Sequence, residues 1–438
     1  MNTADRGMGF GLRALNRLAG LELLDRIGMR ERAERALFRA TRNGFRAAGA
    51  AGRTFAATQR RGKPARQPTG ERSGLFDITP SDEQQMMREA VGDFALERLR
   101  PVAQDADSAC EAPAEVLAQS AELGVAMLGV PEDLGGVVSE RSAVTSVLVS
   151  EALARGDMGL AFAALAPGAV STAIGLWGDG DQQSNYLPEF TGSEPPAAAL
   201  AVLEPRPLFD PFALETRARA KDGGYTLTGV KSLVPRVAEA ELFVVAAELE
   251  GKGPSLFIVE SKTAGVLTEP EPAMGLRAGA TGRLLLGDVK LGAGALLAEA
   301  SPDVYVDCIR LGRIAWCALA TGTAQAVLDY VMQYVNERSA FGEPISHRQA
   351  VAFSVANIAI ELEGMRLATY RAAGRVDQAR SFAREAATAR RLAARHGMQI
   401  GSDGVQLLGG HGYVKEHPVE RWYRDLRAAG LMEGALLV

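Results

Sequence analysis

Glu433 sits between Leu431-Met432 and Gly434-Ala435, close to the C-terminus. A carboxyl group flanked by apolar residues is partly desolvated, which raises its pKa and makes it better able to take a proton from carbon. Taken alone, the residue reads as a solvated surface glutamate, where most glutamates lie. The residues upstream change that reading. Arg424-Asp425 precedes it at a fixed interval, R-D-x(7)-E-G. Gln406-Leu407-Leu408-Gly409-Gly410-His411-Gly412-Tyr413 gives Q-x-x-G-G-x-G-Y, and Arg338-Ser339-Ala340-Phe341-Gly342-Glu343-Pro344-Ile345, followed by Gln349, gives R-x-x-F-G-x-P-I-x-x-x-Q. Each pattern fixes several positions, so the three in this order carry far more information than a lone glycine motif.

With these signatures the chain resembles the acyl-CoA dehydrogenase flavoprotein family, over roughly residues 76–438. Val130-Pro131-Glu132-Asp133-Leu134-Gly135-Gly136 is similar to the family's P-E-x-x-G-G turn, and Tyr186-Leu187-Pro188 to its Y-L-P. The resemblance implies FAD as cofactor, whose pyrophosphate and adenine need cationic donors, backbone N–H groups and amide side chains. Arg338, Phe341 and Gln349 then reach the cofactor of a neighbouring subunit, and the turn at Gln406, Gly409 and Gly410 lets the backbone approach it. Glu433 matches the base that removes the α-proton of an acyl thioester while the β-hydrogen leaves as hydride to flavin N5. The developing enolate is stabilised in the family by hydrogen bonds, one of them from the backbone N–H of that Glu. The implied substrate is an acyl-CoA or acyl-carrier thioester, converted to its trans-2-enoyl form. An electron-transfer flavoprotein or similar protein is the implied acceptor, and the assembly is a homodimer or homotetramer. A subgroup handling long or branched chains carries its base on the bundle helix instead, at the position held here by Gly312.

The resemblance departs around the flavin ring. Where the family reads T-E-P-x-x-G-S-D, this chain has Leu203-Glu204-Pro205-Arg206-Pro207-Leu208-Phe209-Asp210, and where it reads K-x-W-I-T the chain has Lys231-Ser232-Leu233-Val234-Pro235. The ring that covers the flavin and the hydroxyl near N5 are lost, and Pro235 has no backbone donor. Each lost polar contact is worth about 0.5–1.5 kcal/mol. Family members also continue past E-G-T with another helix, whereas Ala435 replaces the Thr and the sequence stops at Val438; contacts from that helix are expected to be missing. Two readings follow. One is an FAD-dependent dehydrogenase that holds its cofactor mainly by the adenine and pyrophosphate; the other is a redox-silent homologue acting as an acyl-thioester binding or scaffold subunit.

Composition narrows the class. At 438 residues, 47% of them hydrophobic, with a mean hydropathy of −0.01, the chain can bury two or three cores of ordinary size and reads as soluble and globular. Cys110, Cys308 and Cys317 stand at unrelated spacings, which suggests neither a disulfide framework nor a thiolate metal site and fits a reducing, cytoplasmic compartment. Four histidines without an H-E-x-x-H pattern leave little to build a metal centre from, and none is expected. The net charge of −5 conceals an asymmetry: residues 1–74 carry 16 Lys+Arg against 6 Asp+Glu, the remainder 32 against 47. Peripheral contact with an anionic membrane is therefore expected through residues 1–74 alone, an adaptor role for that arm is a third reading, and no nucleic-acid partner is expected. The uncharged run Met158–Gly178 has the 21 residues of a membrane span. Pro167, several Gly and Ser171-Thr172 favour two buried helices joined near the proline instead. The first residues lack the order of a signal peptide.

Along the chain, residues 1–74 read as a basic helical arm and linker. Residues 75–196 form an N-terminal α-helical domain, opening at the helix-start signal Thr79-Pro80-Ser81-Asp82-Glu83-Gln84. Residues 197–302 switch to short β-type runs, Tyr225 to Val230, Leu242 to Ala246, Ser255 to Val259 and Leu284 to Leu286, a middle antiparallel β domain. Residues 303–438 return to long helices, about Tyr305 to Arg338, His347 to Gly374 and Asp377 to Leu408, with a shorter one towards Glu433, a four-helix-type bundle. The fold class is α+β multidomain, and the resemblance implies the same order of helical, β and helical parts.

Overall fold

Ser81 starts the first helix, α1 (Asp82–Phe94): its hydroxyl accepts from the Gln84 N–H at 3.2 Å while the Gln84 side chain accepts from the Ser81 N–H at 3.0 Å. This capping box satisfies two backbone donors that a helix end leaves free. The computed structural model describes residues 79–136, 141–271 and 273–436; the arm expected at residues 1–74 lies outside them. Helices α2 (Arg100–Ala109), α3 (Ala114–Glu122), α4 (Ala143–Gly156), α5 (Met158–Trp177) and α6 (Gly180–Tyr186) complete the first helical region.

The two helices expected around Pro167 are one. α5 runs unbroken through the proline, capped by the Asp157 carboxylate, which accepts from the Leu160 N–H at 2.9 Å. An internal proline costs about 3 kcal/mol. Thirteen buried residues on this helix, Pro167 among them, outweigh that cost. Most of the helix lies inside the protein, which accounts for its apolar run.

Seven strands follow: β1 (Ala198–Ala201), β2 (Arg217–Lys221), β3 (Gly224–Val234), β4 (Leu242–Leu249), β5 (Gly253–Glu260), β6 (Val266–Pro270) and β7 (Gly282–Gly292). Their order is β1-β4-β2-β3-β7-β6, with β5 on the other edge of β4. The sheet is mostly antiparallel, as expected, but β1 and β2 both pair with β4 in parallel. β4 is buried along nearly its whole length, the apolar run of a strand covered on both faces rather than the alternation of a half-exposed one. The sequence runs marked β3, β4, β5 and β7; β2 (Arg-Ala-Arg-Ala-Lys) and the mostly exposed β6 have too little apolar content to stand out.

Three long helices, α7 (Pro302–Glu337), α8 (Gln349–Asp377) and α9 (Ala383–Leu408), make the bundle, with the short α10 (Val419–Asp425) and α11 (Ala428–Leu431) towards the C-terminus. A two-residue hairpin, β8 (Ser339–Ala340) and β9 (Glu343–Pro344), follows α7. α4 lies against α7 so closely that a Cβ on Gly322 would come within 2.0 Å of the Glu151 carbonyl oxygen. α9 begins at Ala383 rather than Asp377, because Asp377 is still the last residue of α8; its carboxylate accepts from Ser142 Oγ and the N–H groups of Ala143 and Val144 at 2.7, 2.6 and 3.1 Å. Arg424 grips Asp107 through two bonds of 3.0 and 2.9 Å, and Asp425 accepts from the Leu276 N–H at 2.6 Å. The Arg-Asp pair of the R-D-x(7)-E-G pattern thus ties the C-terminal segment to the first helices and to the β region.

One buried ion pair joins the sheet to the segment after β1. Lys231 Nζ donates to the Glu204 carboxylate at 2.9 Å and to the Val202 carbonyl at 3.1 Å, and Glu204 also accepts from the N–H groups of Glu215 and Thr216. Burial pushes the Lys231 ammonium down to about 8 while Glu204 opposes the shift. Lys231→Met should cost about 3–5 kcal/mol in urea denaturation, because it strands a buried carboxylate. The double change Lys231→Met with Glu204→Gln should cost less than the single one.

Candidate active site

α5, α7, the sheet and the C-terminal segment converge on a cavity of about 200 Å³. Its walls are largely apolar: Phe162 and Leu165 from α5, Leu203 and Leu233 from the β region, Trp316 from α7, and Met432. The Phe162 and Trp316 rings meet at 4.8 Å between centroids. Glu433 enters this cavity and is only 7% exposed.

Its side chain is placed through its backbone. Glu433 has φ +52°, in the left-handed region, and Gly434 follows at +105°. This turn directs three successive carbonyl oxygens towards Arg390 on α9, which donates to those of Met432 (2.9 Å), Glu433 (3.0 Å) and Gly434. Arg313 on α7 adds two bonds to the Glu433 carbonyl, at 3.2 and 2.9 Å. Neither guanidinium pairs with the carboxylate, and Oε2 of Glu433 is buried without a hydrogen-bond partner. Burial pushes the carboxyl up to about 7; Arg390, Arg313 and the Trp316 indole oppose that shift. The Glu433 N–H donates to no acceptor among the described residues, so the same turn presents a free donor beside a free carboxyl oxygen.

Gly312 makes room for this side chain. A Cβ there would lie 3.1 Å from Cγ and 3.3 Å from Cδ of Glu433. The position at which the resemblance would admit an alternative base is thus the surface on which Glu433 rests.

Leu203, Ser232, Leu233 and Pro235 line the opposite side of the cavity. Leu233, at φ +51°, donates its N–H to Glu271 at 2.7 Å, and Ser232 Oγ bonds both oxygens of the same carboxylate at 2.9 Å. Polar groups of this β3 segment are therefore turned to Glu271, and the wall offers a flat ring mainly apolar contact.

The other residues singled out in the sequence lie away from the cavity lining. Arg338, Phe341, Gln349, Gln406, Gly409 and Gly410 are all exposed, Phe341 at 96%. Tyr334, one turn before Arg338, bonds the Leu408 carbonyl at 3.4 Å and His411 Nδ1 at 2.9 Å, which brings the Arg338 hairpin and the Gly409-Gly410 turn to one end of the bundle. Gly409 adopts φ +59° and ψ −132°, a conformation open to glycine, and a Cβ on either glycine would meet nothing within 4 Å. An open backbone cradle beside Arg and Gln side chains that have no partner among the described residues fits the pyrophosphate and adenine of a dinucleotide.

The sequence patterns single out Glu433 but not the arginines that bond its backbone. The signal for Arg390 was present: it falls on the face of α9 otherwise made of Ala386, Ala389, Ala393 and Ala394, all buried.

Known proteins share this fold. Residues 81–194 match the acyl-CoA dehydrogenase N-terminal domain, residues 199–289 the middle domain and residues 303–436 the C-terminal domain. The short-chain specific acyl-CoA dehydrogenase of Bos taurus mitochondria is 34% identical over 364 residues, covering 80% of this chain and 86% of that protein. The structure of butyryl-CoA dehydrogenase from Megasphaera elsdenii matches with a TM-score of 0.77 at 27% identity, over 82% of this chain and 96% of that one. The structure of PigA with FAD and proline matches with a TM-score of 0.76 at 25% identity, again over 82% and 96%. The chain belongs to the acyl-CoA dehydrogenase family.

Because Glu433 packs directly on Gly312, Gly312→Ala should displace the carboxyl group while leaving the helix intact. A loss of about 10²-fold in rate, of the size expected for a misplaced catalytic group, with an unchanged melting curve, is the expected outcome of steady-state kinetics and thermal denaturation together.

Proposed function

We propose that this chain is an FAD-dependent dehydrogenase of acyl thioesters, with Glu433 as the base that takes the α-proton. The observation that carries the reading is the buried, unpartnered Oε2 of Glu433 inside an apolar cavity. A carboxylate there is held with its accepting oxygen free and its pKa near working pH, the condition for efficient proton transfer. The free Glu433 N–H is placed to donate to a thioester carbonyl as negative charge develops on it. Apolar walls exclude water from the reacting carbons. FAD, when bound, supplies the two-electron acceptor for the β-hydrogen.

Arg338, Phe341, Gln349, Gln406, Gly409 and Gly410 are assigned to FAD binding. Their exposure at one end of the bundle, outside the cavity lining, supports a contact with the cofactor of a neighbouring subunit, and hence a homodimer or homotetramer. Acyl-CoA or an acyl-carrier thioester is the substrate, and an electron-transfer flavoprotein-type protein receives the electrons. The redox-silent reading draws on the apolar wall at Leu203, Leu233 and Pro235; a purified protein that is colourless and takes up no FAD would favour it.

Since the ionised form of Glu433 is the base, kcat/KM should rise with pH through about 7, and Glu433→Gln should abolish turnover by ~10²–10⁴-fold while FAD remains bound. A pH–rate profile with no such limb, or a Glu433→Gln loss below about tenfold, would exclude the assignment. Arg338→Ala should lower FAD retention on gel filtration, read from the absorbance ratio of flavin to protein. A monodisperse monomer that still keeps full FAD would contradict the shared-site arrangement.

A further inference from the structure

Among the described residues, two charged side chains line the cavity, Glu433 and Arg141. Arg141 precedes Ser142, the N-cap of α4. Its Nε is buried without a hydrogen-bond partner, and it makes no ion pair with a described residue. Burial lowers its pKa, with Asp377 nearby partly opposing the shift. That carboxylate is already engaged by Ser142 Oγ and two N–H groups of α4. Arg141 also stands at the positive end of the α4 dipole, where a cation is disfavoured. The guanidinium is partly buried, its Nε has no partner, and no described carboxylate pairs with it, so a bound anion would supply the missing counter-charge.

The cavity leads from Glu433 to Arg141 across α7. Glu433 rests on Gly312, whereas Ile314 packs with Ala143 and Val147 of α4. Between these two edges, Cys308, Leu311 and Ala315 line the same cavity. At ~100° per residue the arc from Gly312 to Ile314 spans about 160° of the helix circumference. It forms an apolar gutter with a carboxyl base at one end and a cation at the other. An acyl chain with its α-carbon at Glu433 would run along it towards Arg141.

Building on the dehydrogenase reading, we infer that the cavity takes an acyl thioester whose far end carries a carboxylate, and that Arg141 is the specificity-determining residue that binds it. A plain alkyl chain would fill the gutter and leave the guanidinium unpaired, whereas an ω-carboxylate supplies its two acceptors in the fork geometry that arginine matches. The substrate class is then an ω-carboxyacyl thioester, and the alkyl thioester of equal length is the poorer ligand.

The test is equilibrium binding by calorimetry, using FAD-loaded protein with Glu433→Gln to prevent turnover. Ligands are coenzyme A thioesters matched in carbon number, with and without a terminal carboxylate, from five to seven acyl carbons. The ω-carboxyacyl member should bind at least tenfold more tightly; Arg141→Met should erase that preference and tighten the alkyl member, and Arg141→Lys should restore part of it. In the enzyme that retains Glu433, kcat/KM should follow the same order. Turnover of alkyl thioesters with no gain from the carboxylate, or a preference that survives Arg141→Met, overturns the assignment of Arg141 and leaves the dehydrogenase reading standing. A binding preference without turnover of any thioester supports Arg141 and overturns the dehydrogenase reading. Failure to bind either ligand class overturns both.

Discussion

The carboxyl group of Glu433 is kept inside the protein by bonds made to its backbone. Arg390 collects the carbonyl oxygens of residues 432, 433 and 434, and Arg313 reinforces the middle one. Three successive carbonyls can point to one donor only if the chain turns sharply, and here it does so through a left-handed glutamate. A non-glycine residue in that region costs on the order of 1–3 kcal/mol and persists where its surroundings over-determine it. The surroundings do: besides the two guanidinium groups, Ala435 N–H bonds the Phe209 carbonyl at 2.9 Å and Leu436 N–H bonds that of Gly430 at 2.8 Å.

Putting the cations behind the backbone rather than on the carboxylate has a chemical consequence. A guanidinium paired directly with Glu433 would stabilise its ionised form and depress its pKa, leaving a weak base. At the distance imposed by the carbonyl bonds, burial prevails over both charges, and the carboxyl titrates near 7. The arginines bear their own cost. Burial, with Arg313 adding to it, pushes Arg390 down to about 10. Charge-assisted bonds to three carbonyl oxygens offset that desolvation.

The cavity and the bundle-end cradle are physically separate on one chain. The cavity is formed where α5, α7, the sheet and the C-terminal segment meet, and it holds Glu433, Arg141 and the apolar wall of β3. The cradle at Arg338 and Gly409-Gly410 is exposed and offers unoccupied donors.

Local patterns in the sequence determined a good part of this. The Ser81 cap, the end of α9 before Gly409-Gly410, the order of helical and β regions, and Glu433 itself all rest on residues within a few positions of one another, where short-range sterics and periodicity act directly. The continuity of α5 through Pro167 did not follow from such patterns, because burial contributed by other elements outweighed the local preference of proline. Nor did β2, whose residues carry little apolar signal, or the parallel pairing onto β4, whose partners lie elsewhere in the chain. The decisive contacts of the site belong to the same class. Arg390 reaches Glu433 across 43 residues and Arg313 across 120, and Arg141 meets the cavity from the segment that precedes α4. No spacing rule links such positions; they become neighbours only when the helices pack, and burial then gives their charges a meaning that the residue types alone do not carry.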